Sequence, residues 1–161
     1  MNAALIHLSL THFPVIGFVL FTPLFLYAIW KKKQDLFRIV SMMIIVLSIS
    51  AIVVFNSGEG AEEIIEATTD IGHDVIHEHE EAGEITFWLT SICGLAAALV
   101  LALRMNVNNI KHGSLLFILF SLLLATSVSA LYTAHMGGKI RHPEMNQVVD
   151  QPVDQDEADD D

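Results

Sequence analysis

The chain is short of the groups on which many folds and functions depend. Its 161 residues include a single cysteine, Cys93. That excludes an internal disulfide framework and any CxxC-type zinc, redox or haem-attachment motif. Basic residues are scarce, 8 Lys+Arg against 19 Asp+Glu, for a formal charge of −11. Nucleic-acid binding requires a basic surface, so that class is excluded. Met1–Leu10 holds no Lys or Arg, which argues against a cleavable signal peptide and for a retained first helix. No segment alternates polar and apolar residues as a barrel strand would.

Apolar residues, by contrast, are plentiful. They make up 53% of the chain, and the mean hydropathy is +0.53, too high for an ordinary soluble domain. Four stretches, residues 3–30, 36–55, 85–103 and 115–132, are each long enough to cross ~30 Å of hydrocarbon at about 1.5 Å per residue. They are apolar on all sides, which excludes the amphipathic helices of a soluble bundle. The expected fold is therefore all-α, a four-transmembrane-helix bundle within residues 1–145, followed by a disordered acidic tail at 146–161.

Six of the eight basic residues, Lys31, Lys32, Lys33, Arg38, Arg104 and Lys111, flank the first and third connections. The positive-inside rule assigns them to the cytoplasm and both termini to the outer side, the periplasm in a Gram-negative inner membrane. Eighteen of the 19 acids and seven of the eight histidines then lie outside, Asp35 and His112 being the exceptions. The acidic, His-rich segment 56–84 reads as helical extensions of the second and third spans, joined near residues 68–72. Cys93 is expected to be plain packing. Gly17, Ser48, Ser50, Gly94, Ser121 and Ser127 are expected helix contacts. The inner halves of the spans lack charge, which disfavours transport of ions or protons.

Counting from the cytoplasmic ends puts His12 and His135 about 28 and 32 Å along their helices. His7 and His79 follow at about 36 and 38 Å, one layer further out. Ionisable side chains at such depth usually turn inward and serve a function. His12 with His135 meets the need of a b-type haem for axial ligands at equal depth on different helices. Lys139 and Arg141 can neutralise its propionates, and Gly137 and Gly138 can admit the ring edge. The alternative is a transition-metal ion shared by His7, His12, His79 and His135, with His73, His77, Glu62, Glu63 and Glu81 as a further donor set. A third possibility is a non-catalytic membrane assembly subunit. The expected surroundings are the lipid bilayer, a redox partner protein and, potentially, a larger complex, without nucleic acid.

Two segments carry a resemblance. His7-Leu-Ser-Leu-Thr-His12-Phe13-Pro14 resembles the opening HPxxxHFP-like motif of a bacterial family of small four-helix membrane proteins of unknown function. His135-Met-Gly137-Gly138-Lys-Ile-Arg-His142 resembles that family's closing HxGG-type motif, and His79-Glu-Glu-Ala82-Gly83 its third-helix entry. Leu8 replaces the family's usual Pro, and Ile140-Arg141 a more apolar pair. Members of the family occur fused to or beside haem and iron–sulfur proteins, so the resemblance implies a redox setting.

Overall fold

The computed structural model describes residues 3–68 and 72–142, so the acidic tail, Asp70 and the centre of the 68–72 connection lie outside the described residues. Among those residues the chain forms four α-helices: α1 (Ala3–Trp30), α2 (Gln34–Thr68), α3 (His73–Ala102) and α4 (Gly113–Arg141). A short 3₁₀ turn, Ile110–His112, precedes α4. Each helix is long and apolar enough to cross a membrane, and the chain has the make-up of a multi-pass membrane protein.

The 35 residues of α2 run about 52 Å, far more than the ~30 Å of a bilayer core. Its surplus is the acidic stretch after Phe55, which continues the helix through Gly58 and Gly60. α3 begins with the matching stretch, His73–Glu84, before its apolar part. α4 likewise passes through Gly137 and Gly138 and ends at Arg141, so these glycines do not stop the helix.

α1 packs on α2 and α4, and α3 packs on α2 and α4, so α1 and α3 face each other across the bundle diagonal. The connections alternate, which puts the start of α1 and the end of α4 at one end, here the histidine end. The α1–α2 and α3–α4 turns form the basic end. Both tryptophans and both tyrosines sit exposed towards these ends: Tyr27 and Trp30 near the basic one, Trp88 and Tyr132 near the other. Aromatic belts of this kind mark the two interfaces of a bilayer.

The two halves of the core differ. At the basic end Phe25, Phe37, Val40, Ile44, Leu116 and Leu119 are fully buried or nearly so. Towards the histidine end the buried positions include Ser57, Ala61 and Ala82, small residues that leave room for rings from neighbouring helices. Buried hydroxyls also occur between these layers. Thr22 pairs with Ser127 at 2.8 Å, and Ser48 donates to the Thr90 carbonyl at 2.9 Å. Cys93 lies 3.1 Å from Thr126 Oγ1. Among the described residues no buried side-chain polar atom lacks a partner, so these groups act as contacts between helices. Gly94 touches Ser48, and Gly17 touches Leu47. Of the other expected contacts, Ser50 bonds its own helix and Ser121 is exposed.

Candidate functional site

The histidine end brings His7 of α1 and His79 of α3 together. Their ring centroids are 6.4 Å apart, with the planes 84° to one another. The two rings come from diagonal helices, so they meet in the bundle interior rather than on its flank. The other two helices supply the supports. On α2, the Val54 carbonyl accepts from His7 Nδ1 at 3.0 Å, and Ser57 Oγ lies 3.3 Å from the same nitrogen. On α4, the Thr133 carbonyl accepts from His79 Nδ1 at 3.1 Å. Below the pair, Phe55 stacks on Phe87 at 4.3 Å, and Thr86 joins Ser129 and Thr133 through hydroxyl bonds of 2.6 and 2.8 Å.

These bonds settle the tautomers. A carbonyl can only accept, so each neutral ring carries its proton on Nδ1. The Nε2 lone pair is then the basic one in both histidines. Metal-bound histidines are held in this way, the far nitrogen anchored to a carbonyl so that the ring orientation is fixed.

Glycines shape the space beside both rings. A Cβ on Gly137 would stand 3.1 Å from His79 Cε1, and one on Gly58 would stand 3.6 Å from His7 Cε1. Gly138 has no such neighbour within 4 Å. His79 lies in the polar extension of α3, six residues before Ile85, where the apolar span starts. Its burial, and then its neighbour His7, push its titration below the ordinary imidazole value, while the Thr133 bond pulls the other way.

His12 and His135 occupy different surroundings. His12 is exposed, and its Nδ1 bonds back to Leu8 O at 3.2 Å. Its ring borders an open apolar groove of about 320 Å³ between α1 and α2, together with Phe13, Ile16, Leu20 and Leu47. His135 is exposed on α4, as are Arg141 and His142, and Lys139 is half-buried. The expected second donor set forms surface pairs instead. His73 lies 3.2 Å from Glu66, and His77 lies 3.6 Å from Glu80 and 3.4 Å from Glu81. Glu62 is half-buried and Glu63 exposed. The carboxyl of Glu62, in the polar extension of α2, is shifted upward by burial and then by Glu80, Glu66 and Glu59. Among the described residues no group of three or more His, Cys, Asp or Glu converges as a metal site. The eighth histidine, His112, has a structural part: its Nδ1 accepts from the Asn106 amide at 3.0 Å in the α3–α4 connection.

Sequence reasoning singled out His12 with His135, set His7 and His79 one layer further out, and missed the groups that support the latter two. Ser57, Gly58, Thr133 and the carbonyl of Val54 belong to the site through their place on α2 and α4. The only sequence signal for them is a small residue near the histidine layer. Searches against family models, curated proteins and solved structures find no match to this chain.

Proposed function

We propose that the protein is an integral-membrane electron-transfer protein that binds a b-type haem at the histidine end of its bundle, where His7 and His79 would hold it. The observation that carries this reading is the meeting of two Nδ1-anchored imidazoles from diagonal helices at 6.4 Å. Haem brings four equatorial nitrogens of its own and asks the protein for two axial ligands. A bare zinc or copper ion generally needs more protein donors than two. A two-imidazole site therefore suits haem better. Gly58 and Gly137 leave space at the ring edges, and Lys139 and Arg141 follow on α4 as counter-charges for propionates. Bound there, haem would supply a one-electron couple. The chain's part is to anchor the rings and exclude water.

The charge distribution supports an outward-facing site in a bacterial inner membrane, with the six basic residues of the opposite end in the cytoplasm. The resemblance to a family found beside haem and iron–sulfur proteins points the same way, and a soluble redox protein on the outer side is the partner this implies.

The test is the absorbance of detergent-purified protein, made with haem, copper and zinc available. A Soret band with dithionite-sensitive α and β bands is expected, lost in both His7→Ala and His79→Ala and kept in His12→Ala and His135→Ala. Loss of the bands in the latter two variants alone would move the axial pair to the deeper layer. A colourless protein with stoichiometric copper or zinc would replace haem by a metal-ion site, and one with neither would leave an assembly subunit.

A further inference from the structure

The basic end contains a repeated feature that the redox reading does not use. α1 and α3 end in the same backbone motif. Lys33 N bonds Ala28 O at 2.8 Å and Lys32 N bonds Ile29 O at 3.1 Å; Met105 N bonds Val100 O at 3.0 Å and Arg104 N bonds Leu101 O at 3.0 Å. Both are Schellman closures, whose turning residue needs a left-handed backbone and is most often glycine. Here that residue is Lys32, with φ 54°, and Arg104, with φ 48°. An L side chain in this conformation is disfavoured relative to glycine. Among the described residues these are the only non-glycine positions with positive φ, and both are cations. Strained positions of this kind concentrate where a side chain is held for a purpose.

The two turns are also joined to each other. The Gln34 side chain donates to Met105 O at 3.0 Å and accepts from Val107 N at 2.9 Å. One amide thus links the α1–α2 turn to the α3–α4 connection. The two connections and their flanks carry six cations and a single acid. The acid, Asp35, is highly exposed and lies 3.9 Å from Arg38. At the edge of the same turn, Lys31 Nζ stands 4.1 Å from the centre of the Trp30 ring. Trp30 is 72% exposed, and tryptophan is enriched where a span meets the polar headgroups.

We propose that this stitched pair of turns is a binding site for the phosphate headgroup of an anionic phospholipid, with Lys32 and Arg104 as its principal contacts. The site presents basic side chains from two helix ends at once, and exposed apolar residues of α2, which packs against both α1 and α3, continue from it for the acyl chains: Ile39, Met42 and Met43. The exposed Trp30 supplies an interfacial anchor. A diffuse attraction of cations to a negative membrane would need neither the two strained turns nor the Gln34 link. The proposal is independent of what the histidine end binds.

Native mass spectrometry of the full chain in non-ionic detergent, titrated with phosphatidylglycerol, phosphatidylcholine or inorganic phosphate, tests it. One phosphatidylglycerol should be retained in preference to phosphatidylcholine, and millimolar phosphate should not displace it. Lys32→Gly and Arg104→Gly suit the turn geometry, so both variants should fold. Each should weaken phosphatidylglycerol binding about fivefold, the factor that corresponds to about 1 kcal/mol per basic residue near an anionic surface. Gln34→Leu should weaken it too, although every cation remains. Lys139→Gln/Arg141→Gln, at the other end, should not. Equal retention of the two lipids, displacement by free phosphate, or unchanged binding in Lys32→Gly/Arg104→Gly would overturn the proposal.

Discussion

Gly137 and Gly138 are neighbours in the chain, yet only Gly137 borders a histidine ring. A side chain at Gly137 would press on His79, so Gly137→Val should sharply lower the haem content of purified protein. Gly138→Ala should leave the spectrum unchanged. His79 itself sets a pH limit. Because burial depresses its titration, the folded protein keeps this imidazole neutral, and able to coordinate, to lower pH than a free histidine. The unfolded chain protonates first, as pH falls through about 6.5. This residue therefore destabilises the fold progressively from that pH down to its folded-state value, and contributes no pH dependence above it. Thermal melts of the apoprotein should show this slope, and His79→Asn should reduce it.

At the scale of the helix, glycines in α3 have opposite meanings according to what faces them. A Cβ on Gly94 would come within 2.5 Å of the Ser48 Cβ on α2, where Ser48 also bonds the Thr90 carbonyl. Gly94→Ala should cost about 1–3 kcal/mol through overpacking. Gly83, in the same helix, has nothing within 4 Å of a Cβ. Gly83→Ala should stabilise by about 1 kcal/mol through helix propensity alone. Denaturation of both variants in one detergent checks the contrast. Gly94 and Ser48 were legible as contacts from the sequence, since small residues in an apolar span let helices approach. Ser121 has the same chemistry yet is exposed, because nothing local distinguishes the side of a uniformly apolar helix that meets protein from the side that meets lipid.

The whole molecule is polarised, with seven of the eight histidines and all but one of the acids towards one end and six of the eight cations at the other. If the cations lie in the cytoplasm, a cysteine placed at Glu78 should react with a membrane-impermeant thiol reagent added to intact cells. A cysteine at Lys32 should react only after permeabilisation. Native Cys93, buried within the bundle, should stay silent in both. The reverse pattern would invert the orientation and place the His7–His79 site inside.

Length and hydropathy alone determined that there would be four long apolar helices, because a span needs only enough consecutive apolar residues. Counting along those helices also placed His7 and His79 in one layer, because rise per residue is constant. Rotation about each helix axis was not available from the same count. His7 and His12 are both predicted near the rim, but five residues turn them to different sides, one inward and one to an open groove. Only the packing of α1 diagonally across from α3, with α2 and α4 lending carbonyls between them, decided which histidines meet.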